Sequence, residues 1–478
     1  MRPLNAPATP RPATSAPDAP LDRKVPMIIG CALFMELLDS TAVLTALTQI
    51  ATDFGEASVR MNLIVSLYLL AAALFIPISG WLAERFGPRR VFITAICLFM
   101  LCSLACAASA SLLQLSLARF CQGASGALMV PVGQIILLRG TSKANLMRAM
   151  AFLTMPALLG PVLGPPLGGL LVTALSWHWI FLINLPIGLL GIVLVMRHVP
   201  DYCGQQQHPL DKVGFVLSSA ALASLMLAFE SLGHGQLLGG YWPALLLATG
   251  IVFGGFYLHH TKRYPTPLLD LSLLRIPTFG IVLLGGMLFR LGSAALPFLL
   301  VLLFQVGFGL SALQAGLMTF AGGAGALVIK FISVRLVRRF GFRRILVCNA
   351  IIGAACMALC ALLRPDTGMV LTLLLLFSGG VSRSLQMSTL GALGYADVSR
   401  EQAGQASTLS AMSVQLGMSL AVCIAALLLG LIQHTNGHGV PAIEDIGLAM
   451  ALASLLCVLS ALIFSRLGQE SGQAVARG

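Results

Sequence analysis

The chain has 478 residues, of which 58% are hydrophobic and only 10% charged. Soluble domains carry about 25% charged residues, so this composition excludes an ordinary water-surrounded globule and directs attention to helices that cross a bilayer. The formal net charge of +12 is read as basic loops flanking such helices, not as a surface for nucleic acid.

Residues 1–24 are rich in Pro, Ala and Thr and hold no apolar block, which reads as a solvated tail and not a cleaved leader. Fourteen apolar runs follow, at 25–47, 61–82, 91–110, 112–138, 147–173, 177–196, 213–232, 241–260, 278–304, 312–334, 345–363, 369–394, 403–431 and 446–465. A helix of about 20 such residues crosses ~30 Å of hydrocarbon, so an all-α integral membrane protein with fourteen transmembrane helices is expected. The third and fourth runs are parted only by "ASASL", and the tenth is Gly-rich and carries Lys330. Residues 466–478 form a second tail. The eleven cysteines, among them Cys97, Cys102, Cys106, Cys356 and Cys360, sit mostly inside apolar runs without a C-x-x-C pair, so neither a disulfide framework nor a metal site is expected. His434 and His438 share a loop with Glu444 and Asp445, without tight ligand spacing.

Basic residues set the orientation. With the N-terminus inside, 23 of the 29 Lys and Arg residues fall on the inner side and only Arg60 and Arg364 outside. Arg119, Arg290, Lys330 and Arg383 lie within runs. Positive-inside insertion then demands an even number of spans and two cytoplasmic ends.

"RFGPRR" (85–90) returns as "RFGFRR" (339–344), eight spans later and on the same side. Two parallel halves follow, each with the motif after its second span. The implied division is a six-helix bundle at 25–196, two extra helices with their loops at 197–277, and a second bundle at 278–465. Gly80 and Gly87 permit close approach and a tight turn, and Glu84 in the first copy aligns with Arg338 in the second. Glu84, Arg85, Arg89 and Arg90, with Gly341 and Arg339, Arg343 and Arg344 of the second copy, are expected to latch the cytoplasmic side. They would do so by pairing with one another and with helix ends of the opposite bundle.

Ionisable residues inside spans are expensive and are functional candidates. Asp39 and Glu36, three residues apart, share a face of the first helix; two carboxylates so close resist joint ionisation. Arg119 in the fourth helix is expected to face one of them, with Gln122, Gly123 and Gly126 beside it. Gly160, Gly164, Pro165, Gly168 and Gly169 make a small-residue stripe, expected at the contact between halves. Arg290 and Arg383 occupy the first and fourth helices of the second half, which offers no intramembrane acid to match them. They suggest an anionic substrate, since Arg forks suit carboxylates; the alternative is bonding to helix-end carbonyls, Gln386 or Gln305. Lys330 is read as reaching the inner surface. Phe289 and Met387, with Phe298 and Met287, are candidates to line a soft apolar pocket. Glu230 is given no role.

Five stretches together resemble the major facilitator superfamily, in its fourteen-span drug:proton antiporter branch. They are "GWLAERFGPRR" (80–90), "LDSTAVLTAL" (38–47), "LARFCQGASGA" (117–127), "GPVLGPPLGG" (160–169) and "WHWIFLINLPIG" (177–188). The resemblance implies a 6+2+6 fold and a proton-coupled exporter of small organic molecules in the bacterial inner membrane. It also implies Asp39 as proton carrier, Glu36 and Arg119 as coupling partners, and 160–169 as an antiporter helix. The expected partners are a small-molecule substrate, protons and lipid; the chain is read as a monomer with no cofactor and no nucleic acid. No lysine follows a glycine, so a phosphate-binding G-x-x-x-x-G-K loop is absent and no nucleotide is expected. A lipid-modifying membrane enzyme would need a polar catalytic cluster, and none is legible; a passive facilitator or a sensor with a transporter fold remains as an alternative.

Overall fold

The computed structural model describes residues 23–56, 61–201, 209–234, 240–399, 401–437, 441–468 and 471–472. The first tail up to residue 22, the end of the second tail, Arg60 and His438 lie outside the described residues.

With no water in hydrocarbon, each apolar run must bond its own backbone, and helices result. They are α1 (Lys24–Leu47, in a helix that runs on to Phe54), α2 (Leu63–Phe86), α3 (Pro88–Ala107), α4 (Leu112–Gly140), α5 (Lys143–Ala174), α6 (His178–His198), α7 (Lys212–Leu232) and α8 (Trp242–Thr261). The second half continues with α9 (Pro277–Gly307), α10 (Gln314–Phe331 with Ser333–Phe340, bent by 59°), α11 (Phe342–Cys360), α12 (Met369–Gly394), α13 (Ala403–Asn436) and α14 (Ile443–Phe464). Among the described residues, fourteen helices are long and apolar enough to span a membrane when the bent pair counts as one. The short "ASASL" link does separate α3 from α4: Ser111 caps the new helix by accepting from the Gln114 N–H.

Helix pairings repeat across the chain. In the first half α1 packs on α5 and α6, α4 on α2 and α3, and α3 on α6. In the second half α9 packs on α13 and α14, α12 on α10 and α11, and α11 on α14. These are the same five pairings shifted by eight helices, as two parallel repeats require. Each half also breaks its second helix before the basic motif, at Ile76–Ile78 and at Ile329–Phe331. Gly87 and Gly341 then turn the chain at φ 87° and 79°, a region open to glycine.

The halves meet at the end that carries these turns, here called the motif end. One buried apolar cluster there includes Val91 and Phe92 of the first half and Phe342, Leu346 and Leu393 of the second. At the far end the core divides, with Val43, Ile50, Ile64 and Trp177 in one cluster and Leu299, Phe304, Met357 and Met450 in another. Hydrogen bonds join the halves near the motif end, among them Ser79 with Thr408 at 3.2 Å, Tyr395 to Gln134 at 2.9 Å, and Ser407 to Gln134 at 3.0 Å and to the Pro131 carbonyl at 2.9 Å. The structure is therefore closed at the motif end. α7 packs on α2 and α13, across the lateral gap between halves, and α8 packs on α7.

The glycine stripe of α5 faces a different partner from the one expected. A Cβ on Gly160 would lie 2.8 Å from Leu37, one on Gly164 2.0 Å from Thr41, and one on Gly168 2.5 Å from Thr45, all on α1 of the same half. Gly169 meets nothing within 4 Å. The stripe thus brings two helices of one bundle together. α5 reaches the second half elsewhere, through Val162, which would touch a Cβ on Gly323 at 2.9 Å. Gly164→Val is expected to cost about 1–3 kcal/mol through overpacking, seen as a lower melting temperature in detergent, whereas Gly169→Ala leaves it unchanged.

Candidate functional site

The first half contains a closed polar knot in hydrocarbon. α1 brings Asp39, α3 brings Ser103 and Cys106, α4 brings Arg119 and Gln122, and α6 brings Asn184; Asp39 and Arg119 are each 1% exposed. Arg119 Nη1 donates to Asp39 Oδ2 at 2.5 Å and to Gln122 Oε1 at 2.7 Å. Gln122 Nε2 donates to Asp39 Oδ1 at 3.2 Å and to Ser103 Oγ at 2.8 Å. Asn184 Nδ2 donates to the same two acceptors, at 2.8 and 3.2 Å. The guanidinium also lies over the Tyr68 ring at 4.4 Å and near the Phe181 ring at 5.7 Å, so carboxylate and aromatic faces together compensate its lost hydration.

The R-x-x-Q spacing of Arg119 and Gln122 places both on one face of α4. Gly123 lets that helix approach α2, since a Cβ there would lie 2.2 Å from the Tyr68 carbonyl. Glu36 stands apart from the ion pair: its Oε2 is buried without a protein hydrogen-bond partner. A Cβ on Gly126 would lie 3.4 Å from Glu36 Oε1 and 3.1 Å from the Tyr68 hydroxyl, which places this carboxylate beside α4 and the tyrosine. Of the two acids, Asp39 is thus the one that holds Arg119.

Sequence reasoning missed Ser103, Asn184 and Tyr68. Asn184 lay inside a quoted motif, "WHWIFLINLPIG", so its amide in an apolar run was the available signal. Ser103 and Tyr68 had no signal of their own, because a lone hydroxyl in a span is common and usually bonds its own helix.

The second half carries the same R-x-x-Q spacing in Arg383 and Gln386, with the opposite electrostatics. Gln386 is fully buried and committed to α11: it accepts from Asn349 Nδ2 at 2.8 Å and donates to the Leu346 carbonyl at 3.3 Å. It is therefore unavailable to either arginine. Arg383 makes no hydrogen bond or ion pair among the described residues. Arg290, 9% exposed, reaches α13 and donates to Ser413 Oγ at 3.2 Å, while its Nε is buried without a partner. Between Pro277 and Asn436 the acids are Asp366, Asp397 and Glu401, all outside helices. Lys330 departs from expectation: it is 6% exposed and its amine donates to Ser388 of α12 and does not extend to the surface. Phe289 also departs, being 1% exposed and packed in the core, where a Cβ on Gly353 of α11 would touch its ring at 3.5 Å. Met387 is half-buried.

The basic motif acts differently in its two copies. Gly80 lets α2 approach α13, a Cβ there lying 2.6 Å from Thr408 Oγ1, and the Glu84 carboxylate fits over Gly404, whose Cβ would lie 2.2 Å away. Arg89 and Arg90 meet neither one another nor a helix end of the opposite bundle, as had been expected, but groups at the end of α6 and just beyond it. Arg89 donates to the Met196 carbonyl and Arg90 meets Asp201 at 3.5 Å on the surface, a weak contact. Arg85 is exposed. In the second copy Arg339 lies over its neighbour Phe340 at 5.6 Å, while Arg343 and Arg344 make no hydrogen bond or ion pair among the described residues.

The family follows from the chain as a whole. The model of the Major Facilitator Superfamily matches residues 29–422. The chain belongs to that superfamily of membrane transporters. It is 39% identical over 456 residues to MdtD of Escherichia coli O6:H1, covering 94% of this chain and 95% of the relative. It is 38% identical over 448 residues to MdtD of Klebsiella pneumoniae strain 342, covering 93% and 94%. Both relatives bear a multidrug-resistance name that is itself provisional. Among solved structures, the human organic anion transporter MFSD10 (TETRAN) superposes with TM-score 0.67 at 18% identity, covering 93% of this chain and all of that one. The proton:xylose symporter XylE superposes with TM-score 0.64 at 13% identity, covering 95% and 97%. At such identities these two support the fold alone. Membership makes the chain a multi-pass transporter of small molecules and not an enzyme.

The knot's energetics can be measured in this superfamily member directly. Arg119→Leu leaves a buried carboxylate without its cation and is expected to cost about 3–5 kcal/mol. Adding Asp39→Asn to that variant is expected to recover part of the loss, as a higher melting temperature than Arg119→Leu alone.

Proposed function

We propose that the chain is a proton-coupled antiporter of the bacterial inner membrane that exports small organic molecules by alternating access, with both ends cytoplasmic. The observation that carries this is the Asp39–Arg119 pair, buried at 2.5 Å in a knot drawn from four helices. A proton placed on Asp39 cancels the carboxylate charge and weakens the bond to Arg119, so the helices that share the knot are re-biased. Glu36, close by and free of the ion pair, is a second proton acceptor on the same helix. The multidrug name of the MdtD relatives supports small organic molecules as cargo.

In this reading the motif end is cytoplasmic, supported by the distribution of Lys and Arg, and the closed motif end makes the structure outward-facing. Glu84 seated on Gly404 and the Gly80 contact with α13 are parts of the inner latch. Arg85, Arg89 and Arg90, and in the second copy Arg339, Gly341, Arg343 and Arg344, flank its turns. The working divisions are 25–196 and 278–465 as the rocking bundles, with 197–277 inserted between them. An inward proton supplies about 2.3 kcal/mol per 100 mV of membrane potential and about 1.4 kcal/mol per pH unit.

A second reading concerns the cargo's charge. Arg290, Lys330 and Arg383 all lie in spans of a half with no acid in its helices between Pro277 and Asn436. That excess of positive charge favours a cargo carrying an anionic group, such as a carboxylate.

In proteoliposomes under an imposed pH gradient, Asp39→Asn is expected to fold but to lose gradient-driven flux. Wild-type coupling in that variant would end the proton-carrier assignment. A panel of organic cations, neutral drugs and organic anions tests the second reading. Anions should be preferred, and Arg383→Gln should lower their transport about tenfold, the worth of one charge-assisted hydrogen bond. Preference for lipophilic cations would remove it.

A further inference from the structure

The helix inserted between the halves is hydrogen-bonded to one of them and meets the other through apolar side chains. α7 is hydrogen-bonded to α2 at two levels: Ser219 Oγ donates to the Leu74 carbonyl at 2.7 Å, and Ser66 Oγ donates to Glu230 Oε1 at 2.9 Å. Leu222 and Met226 of α7 share one apolar cluster with Leu69 and Ala73 of α2 and with Met412 and Leu416 of α13. No hydrogen bond joins α7 to α13 among the described residues. Interhelical hydrogen bonds in lipid fix position, because breaking one strands a polar group in hydrocarbon. Met and Leu contacts can re-form at a new offset, since the thioether chain is flexible and its contacts are non-directional.

The chain between α8 and α9 divides in the same way. The Tyr257 hydroxyl donates to the Leu269 carbonyl at 3.0 Å and accepts from the Leu269 N–H at 2.9 Å. Asp211, at the start of α7, accepts from the Gly214 N–H at 2.8 Å, from His260 Nε2 at 2.9 Å and from the Leu268 N–H at 3.3 Å. Residues up to 269 are thereby tied to α7 and α8. At the other side, Thr278 Oγ1 donates to Asp397 Oδ2 at 2.8 Å and ties the start of α9 to the loop that precedes α13. Between these anchors lie residues 270–277, with a single 3-10 turn, Leu271–Arg275, and Pro277.

We propose that α7 and α8 travel with the first half as one body, that the α7–α13 contact is the sliding surface, and that 270–277 is the hinge. By this arrangement α7 keeps the lateral gap between α2 and α13 closed to lipid while the halves rock, which gives the insertion a mechanical role. This rests on the alternating-access reading above.

Two disulfides in the full chain test it. Ser66→Cys with Glu230→Cys locks α7 to α2, and Met226→Cys with Met412→Cys locks α7 to α13. Opening of the motif end is read by hydrogen exchange at Leu138, Thr141, Ser142, Lys143 and Leu146 and at Tyr395, Val398, Ser399 and Ala403, residues from opposite halves that line one cavity of about 270 Å3. The first disulfide is expected to leave exchange within about twofold of the reduced protein, and the second to slow it about tenfold or more. The reverse order, or no effect of either lock, overturns the inference. If the reduced protein never opens these segments, alternating access itself fails; if it opens and the wrong lock stops it, only the present inference fails. Ser66→Ala with Ser219→Ala supplies an arm without cysteines. Faster exchange across 219–230 supports the hydrogen-bonded attachment to α2, and unchanged exchange there counts against it.

Discussion

A carboxylate and a guanidinium closed on each other away from water set the terms for the rest of this molecule. Either charge alone would be ejected from hydrocarbon or would drag water in. Together with Gln122, Asn184 and Ser103 they form a neutral polar unit that four helices must share. That sharing fixes the relative positions of α1, α3, α4 and α6 more strictly than apolar packing does, since lipid tails offer Leu and Ile contacts as good as any neighbouring helix. The glycines of α4 and α5 act in a complementary way, bringing α4 close to α2 and α5 close to α1.

The second half repeats the helix pairings of the first while inverting the charge. Where the first half holds an acid against its arginine, the second holds Arg290 against a serine hydroxyl and leaves Arg383 without a protein partner among the described residues. The equivalent glutamine, Gln386, is spent on tying α12 to α11. One bundle therefore matches its intramembrane arginine with a carboxylate and the other does not. In the proposed cycle that difference separates two roles, with proton handling in the first half and cargo recognition in the second.

The two copies of the basic motif show why repeated sequence need not mean repeated contacts. Both turn at a glycine with positive φ. Only the first has a glutamate and a nearby Gly80, and through them it seats on α13 of the other half, whereas the helix of the second copy meets α5 of the first half without such a seat. In the second, Arg338 stands in the place of that acid, and the charge to make an equivalent seat is missing. The inserted helices add a further asymmetry, since α7 is hydrogen-bonded to α2 but meets α13 through apolar side chains.

The sequence by itself determined the number of spans and their parallel repeat. Run length is set by bilayer thickness, and the recurrence of "RFGPRR" as "RFGFRR" is visible without coordinates. It also placed Asp39, Glu36, Arg119, Arg290 and Arg383 inside the membrane, because a charge within an apolar run has no other location. Tertiary structure alone decided who meets whom. It gave Arg119 to Asp39 and not to Glu36, and added Asn184 and Ser103. It turned Lys330 inward, buried Phe289 in the core, and set the glycine stripe against α1. Those outcomes depend on helix rotation and approach distance, and a hydrophobic helix reads much the same at every rotation until its neighbours are known.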